Sequence, residues 1–252
     1  MKRVHLPELE DYDWYPANIR NKLTQILRIA HQTIDTPSHF GPYVQKLLDH
    51  STSKQIVDLC SGGGGPIVDI FAKLPTAKKL YLTDLYPNES AKQELDSENI
   101  VYYPDPVNAA DVPKELQGVR TMFSSFHHMR PEIAKSILKN AWENKTPIGI
   151  FELTSRDFLS FLSATILFPP AGVIRLLFEK PELENFLFTT LLPVVPATLA
   201  WDGFASCWRT YSVEELNEMT SDLQSADYTW EIFETSLSPL PYDVPVLLGY
   251  PS

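Results

Sequence analysis

The stretch Ile56-Val57-Asp58-Leu59-Cys60-Ser61-Gly62-Gly63-Gly64-Gly65-Pro66 decides the fold. Ile56 to Cys60 reads as a short buried strand. Four glycines follow at once, and then Ile67, Val68, Ile70, Phe71 and Leu74 recur at helical spacing. The reading is strand, glycine turn, helix. Glycine lets the backbone take φ > 0 and lets a ligand approach bare amides. The helix N-terminus behind the turn adds free N–H groups and the positive end of a dipole. Lys79 to Thr83 predicts a second strand, with Asp84 at its C-terminal end, twenty residues after Gly64. In a doubly wound sheet an acidic residue there accepts hydrogen bonds from a ribose diol. The combination points to nucleoside binding; the plainer alternative is a tight turn with a solvated Asp.

A length of 252 residues makes one large domain, or one domain with an insertion. Hydrophobic content of 44% and charged content of 21% suit a soluble globular chain. The net charge of −11 and the lack of any Lys/Arg run disfavour nucleic acid as the main partner. Two cysteines, Cys60 and Cys207, are too few for a disulfide scaffold or a Cys-rich zinc site, and no metal is expected. Met1-Lys2-Arg3 is followed by no apolar run, so the start is not read as a signal peptide and a cytoplasmic protein is expected.

Before the glycine stretch, Leu6 to Pro16 mixes Glu8, Glu10, Asp11 and Asp13 with Tyr12, Trp14 and Tyr15. It reads as a surface segment pinned by Trp14, or as a flap near a substrate. Ile19, Leu23, Ile26, Leu27, Ala30 and Ile34 then share one face of a helix, and Tyr43, Val44, Leu47 and Leu48 mark a shorter one. After Asp84 the spacing predicts a helix around Ser90 to Leu95 and a third strand over Ile100 to Tyr103. A fourth strand, Arg120 to Ser124, ends in Ser125-Phe126-His127-His128-Met129-Arg130. Pro131 starts a helix where its missing N–H costs nothing, and Pro147 to Leu153 is a fifth strand with Glu152 near its end. Alternating strands and helices give a parallel sheet covered by helices. Its ligands bind outside the carboxyl ends of the strands. The glycine loop, Asp84, Asn108, His127 and Glu152 all fall at those ends.

At this point the chain resembles the class I S-adenosylmethionine-dependent methyltransferases of the small-molecule type, over Ile56 to Leu153 and again at the C-terminal end. Val57 to Gly64 is similar to the family's Asp/Glu-x-Gly-x-Gly-x-Gly loop, with Cys60 where the first glycine usually stands. Asp84 matches the acidic residue that holds the ribose. Asn108-Ala109 matches an Asp-Ala that touches the adenine edge, with Asn for Asp. Phe126-His127-His128-Met129 resembles the segment after strand four of many members. The usual Pro-Gly-Gly turn before strand five is replaced by Glu143-Asn144-Lys145-Thr146. The resemblance implies S-adenosyl-L-methionine as cofactor, bound by Asp58, Cys60, Ser61, Gly62, Gly64, Asp84, Leu85, Asn108, Ala109 and Ser125. It also implies a Rossmann-like, seven-stranded α/β sheet, parallel except for the last strand, with helices on both faces.

The C-terminal region agrees with that expectation. Ser212 and Glu215 form a capping-box pattern at the start of a helix. Tyr228 to Thr235 and Val244 to Tyr250 read as two strands joined by a Pro-rich turn, where a nicotinamide dehydrogenase would continue with parallel units. Between strand five and that helix lies an apolar helical insertion. Phe158 to Phe178 is almost wholly apolar, split by Pro169-Pro170, and a second run spans Phe186 to Trp201. The length alone would suit a membrane span; the double proline and the missing basic flanks argue for a lid or a homodimer face, with peripheral membrane contact as the other reading. Trp201, Asp202, Arg209 and Tyr211 close the insertion with a composition suited to a substrate pocket, or to an ion pair tying the segment down. The expected division is an N-terminal helical cap over 1–50, a cofactor-binding core over 51–153, the insertion over 154–211 and a closing helix and hairpin over 212–252.

The expected activity is methyl transfer to a small, partly apolar molecule at oxygen or nitrogen. His127, His128 and Glu152 are the candidate catalytic groups, since histidine titrates near neutrality and can take a proton from a hydroxyl. Adjacent residues in a turn point different ways, and His127 is preferred as the one facing the crevice. The alternatives are a catalytically silent nucleoside-binding regulator and an NAD-dependent oxidoreductase.

Overall fold

The structure is a computed structural model that describes residues 1–12 and 14–252; Asp13 of the acidic lead-in lies outside the described residues. In chain order the elements begin with α1 (Ala17–Thr33), α2 (Thr36–Asp49), β1 (Gln55–Asp58), α3 (Ile67–Lys73), β2 (Lys79–Leu82), α4 (Glu89–Leu95) and β3 (Ile100–Tyr102). They continue with β4 (Val119–Phe123), α5 (Pro131–Glu143), β5 (Ile148–Phe151), α6 (Phe158–Leu162), α7 (Phe168–Glu179) and α8 (Leu183–Phe186). The last are α9 (Val194–Arg209), α10 (Val213–Thr220), β6 (Tyr228–Ser236) and β7 (Asp243–Pro251).

Two compact units result. The sheet unit comprises Thr36–Leu153, Ser212–Thr235 and Pro245–Ser252. Its seven strands run in the order β3-β2-β1-β4-β5-β7-β6. β1 pairs in parallel with both β2 and β4, β2 with β3, and β4 with β5, whereas β7 is antiparallel to β5. The order reverses at β1, so the glycine turn that leaves β1 sits at the topological switch point. The central strands carry apolar side chains on both faces, as a sheet covered twice requires: Ile56, Val57, Met122, Ile148 and Ile150 are all buried. The capping box is present, with Ser212 Oγ accepting the Glu215 N–H and the Glu215 carboxylate accepting the Ser212 N–H.

The strands end a residue or two earlier than the apolar runs suggest. Cys60 takes φ 57° and Ser124 φ 48°, which turns the chain out of the extended region just past β1 and β4.

The helical unit comprises Met1–Asp35, Thr154–Tyr211 and Ser236–Val244. Its core joins Leu23, Ile26 and Ile29 of α1 to Val173 and Leu176 of α7 and to Val195 and Leu199 of α9. Pro169-Pro170 does not split the apolar run, contrary to the sequence expectation. A π turn over Ser163–Leu167 links α6 to α7, and the helix is continuous from Phe158 to Glu179. The prolines fall in the first turn after that widened segment, where their absent N–H groups break no α-type ladder.

Candidate active site

The turn after β1 is built from the inside outward. Asp58 is buried at the end of β1, and both its oxygens are taken by hydroxyls: Thr121 Oγ1 donates at 2.6 Å and Ser61 Oγ at 2.7 Å. Burial pushes the Asp58 carboxyl up to about 7, with the two hydroxyl donors acting against the rise. Ser61 is held from the other side, its N–H donating to Thr83 O at 2.8 Å. Burial, aided by the Asp84 and Asp58 charges, also pushes the Cys60 thiol up to about 12, so Cys60 stands in the turn as an uncharged, unreactive group.

The outer part of the turn faces Asp84. Asp84 Oδ2 accepts the Gly62 N–H at 2.9 Å, and Oδ1 accepts the Tyr86 N–H at 2.9 Å. Each carboxylate oxygen has a further lone pair. Tyr102, on β3, donates its hydroxyl to Gly62 O at 2.9 Å and so fixes the same loop from below. The two key glycines differ in what surrounds them. Gly62 has φ +51°, and a Cβ built there would meet nothing within 4 Å. Gly64 has φ +95°, and its Cβ would lie 2.4 Å from Leu95 Cδ1. The first is open space at the mouth of the turn; the second meets only the movable tip of Leu95 on α4, and its constraint is the φ of +95°.

The loop after β3 joins this edge. Val107 N–H donates to Asp84 O at 2.8 Å, which sets Asn108 and Ala109 beside the end of β2. Asn108 Oδ1 accepts the Ala110 N–H at 2.9 Å in a local turn, and Ala109 is buried. Leu85 is half exposed next to Asp84 and presents apolar surface there.

Beyond β4 comes the second half of the site. Ser125 is buried, and the hydroxyls of Ser124 and Ser125 have no hydrogen-bond partner among the described residues. A short 3-10 turn, Phe126–His128, follows. His127 is buried and meets Glu152, just past β5. Glu152 Oε2 lies 2.7 Å from His127 Nδ1, and Glu152 Oε1 accepts the His127 N–H at 3.0 Å. The two imidazoles do not diverge as expected: in this tight turn their rings lie 4.4 Å apart, with His127 buried and His128 half-buried.

The sheet unit thus brings together the glycine loop, Asp84, Leu85 and the Asn108-Ala109 segment, and separately pairs His127 with Glu152. Trp201, Asp202, Arg209 and Tyr211 belong to the helical unit, where they clasp the N-terminal segment. Trp201 Nε1 donates to Pro7 O at 2.9 Å, and Asp202 Oδ1 accepts the Leu9 N–H at 2.7 Å. Arg209 ion-pairs with Glu8 at 3.2 Å and Asp11 at 2.6 Å, and the Arg3 guanidinium lies over the Tyr211 ring at 4.0 Å. Burial, with the Glu10 and Glu8 charges adding to it, pushes Asp202 up to about 7. Sequence reasoning passed over Thr83, Tyr102, Thr121 and Ser124. For Thr83, Tyr102 and Ser124 the available signal was a hydroxyl-bearing residue at or next to the end of a strand; Thr121, in the middle of β4, carried none.

No protein-family model matches the chain, and no curated protein does. Solved structures match over nearly its whole length. An O-methyltransferase family protein from Burkholderia thailandensis is similar at 12% identity and a TM-score of 0.52, over 93% of this chain and 59% of that one. The chain therefore spans well under two thirds of that relative. The plantazolicin methyltransferase BpumL, solved with a pentazolic desmethylPZN analog and SAH, is similar at 13% identity and a TM-score of 0.51, over 93% of this chain and 98% of that one. With β7 antiparallel at one side, β1 at the switch point and the glycine turn behind it, the chain has the fold of the class I S-adenosylmethionine-dependent methyltransferases.

Proposed function

We propose that the chain is a methyltransferase that binds S-adenosyl-L-methionine along the glycine loop and methylates a hydroxyl-bearing small molecule. The observation that carries the reading is the buried His127–Glu152 pair at the same strand-end edge as the loop and Asp84. The residues fit the cofactor. The mouth of the turn at Gly62 is open, Asp84 keeps acceptor capacity for a ribose diol, and Leu85 offers apolar surface to an adenine. Two buried serine hydroxyls past β4 lack partners among the described residues, a cost of about 1–3 kcal/mol each that a polar ligand would remove.

The chemistry the cofactor supplies when bound is a methyl group on a sulfonium, open to in-line displacement by an acceptor's lone pair. What the chain supplies is positioning and proton handling. With Nδ1–H donated to Glu152, Nε2 is the basic nitrogen of His127, and the carboxylate stabilises the imidazolium formed when a proton arrives. A base matters only for an acceptor that must lose a proton. A carboxylate-oriented histidine therefore favours oxygen over nitrogen as the acceptor atom.

Calorimetric titration with S-adenosylhomocysteine tests the cofactor assignment. The unmodified chain should bind, and Asp84→Ala should weaken binding about ten- to a hundredfold, the worth of a charge-assisted hydrogen bond of roughly 1.5–3 kcal/mol. Equal affinity for both would remove Asp84 from the site. Turnover of cofactor to S-adenosylhomocysteine in a cell extract then separates an enzyme from a silent binding module.

A further inference from the structure

The helical unit has an outward face with no counterpart in its own core. The inner side of the Phe158–Glu179 helix is fixed: Val173 and Leu176 pack with Leu23 and Ile26, and a Cβ on Gly172 would lie 2.4 Å from Ile26 Cγ2. On the opposite side Leu167, Pro170, Ala171, Ile174 and Phe178 recur at helical spacing, all exposed, Phe178 at 84% and Ile174 at 56%. The cation among them, Arg175, is neutralised by Glu179 at 2.6 Å. Farther on, the segment Leu183–Leu191 meets α9 at a bend of 63°. At that corner Leu191 and Leu192 are exposed at 63% and 53%.

We propose that this face docks on a bilayer surface of uncharged, zwitterionic headgroups, sinking the stripe and the corner to the boundary of the acyl chains without crossing. Large side chains exposed to this degree each present about 100 Å². Leu167, Ile174, Phe178, Leu191 and Leu192 thus expose roughly 500 Å² between them, the scale at which an apolar patch on a monomer is commonly functional. A second copy of the chain fits less well, because protein interfaces carry about one hydrogen bond per 100–200 Å². The stripe's one charged donor, Arg175, is already held within its own helix. Acyl chains ask for no such partners. The charges around the stripe balance, Arg175 paired with Glu179, Lys22 with Glu184, and Lys180 standing beside Glu182, so the face carries no net positive charge to draw it to an anionic leaflet. Crossing is excluded by the inner side of the same helix, which belongs to the unit's core.

Flotation of the full chain with vesicles of phosphatidylcholine, alone and with added phosphatidylserine, tests this. The chain should float with phosphatidylcholine alone, and phosphatidylserine should not raise the bound fraction. Phe178→Asp and Leu191→Asp, both at exposed positions, should each lower the partition coefficient at least tenfold with thermal unfolding unchanged. The proposal is overturned if the chain stays unbound with both vesicles, if binding needs phosphatidylserine, or if the two variants float as well as the parent. Light scattering without lipid covers the rival: a dimer that Phe178→Asp dissociates would make this face a self-interface instead.

Discussion

Glu152 accepts two hydrogen bonds from one residue, His127: the backbone N–H at Oε1, 3.0 Å, and the ring Nδ1 at Oε2, 2.7 Å. The carboxylate lies just past β5 and the imidazole just past β4, and these strands pair in parallel from Arg120↔Ile148 to Phe123↔Phe151. The rigid ladder therefore sets the distance between acid and base, and the double contact sets the plane of the ring.

That geometry gives a positioned base two separable parts. His127→Ala should lower kcat by about a hundred- to ten-thousandfold, the usual worth of a general base, with S-adenosylhomocysteine affinity nearly intact and the acidic limb of the pH–rate profile gone. Glu152→Gln keeps an acceptor for the backbone N–H but loses the charge facing the ring, so kcat should fall by less than in His127→Ala, with S-adenosylhomocysteine affinity again nearly intact. If both variants keep full turnover from pH 6 to 9, the proton leaves by another route.

The two glycines of the loop should fail in different ways. Gly62→Val meets open space, so its cost in stability is only the roughly 1–2 kcal/mol of a left-handed backbone on a non-glycine residue, and its main effect is to fill the ligand's approach. Gly64→Val adds a contact with the movable tip of Leu95 to the strain of a φ of +95°, so it should lower the unfolding temperature more than Gly62→Val does. Calorimetry and thermal melts on the pair separate the two; a Gly62→Val variant that binds S-adenosylhomocysteine as well as the parent would show that the loop is only a turn.

Much of this was legible because the sheet unit obeys local rules. The strand–glycine–helix pattern at Ile56–Leu74, Asp84 at the end of β2 and the Ser212–Glu215 box each declare themselves within a few residues. What was not legible depended on partners far away in sequence. Nothing near Thr121 reveals that its hydroxyl meets Asp58, and nothing near Tyr102 reveals that its hydroxyl meets Gly62 O. The Pro169-Pro170 pair misled because its usual effect on an α-ladder is forestalled by the π turn before it.

Asp58 makes a pH prediction. Its carboxyl holds a proton in the fold up to about 7, whereas an exposed chain releases it near 4. Between those values the native state binds a proton that the unfolded state has lost, so this group's contribution to stability is full at acid pH and declines as pH rises toward 7. The decline is at most about 1.4 kcal/mol per pH unit. Asp58→Asn removes it, and the stability difference between variant and parent should shift in the variant's favour from pH 4 to pH 7. Asp202, also near 7, has the same sign but is common to both proteins and cancels. Parallel denaturation curves across that range would contradict the buried, protonated state of Asp58.

Arg209 is the last test, because it shows whether the N-terminal segment is a structural part of the helical unit. Its guanidinium is 2% exposed and pairs with Glu8, itself 1% exposed, and with Asp11; it also donates to Leu6 O. Removing one partner of a buried pair strands the other charge, at a cost of about 3–5 kcal/mol, whereas neutralising both is far milder. Arg209→Met should therefore destabilise strongly and expose residues 1–12 and 194–209 to hydrogen exchange, while the amides of β1, β4 and β5 keep their protection. Adding Glu8→Gln to Arg209→Met should recover a large part of the loss, since the acid left behind is then uncharged. A double variant no more stable than the single one would mean that Arg209 acts through packing and not through its charge.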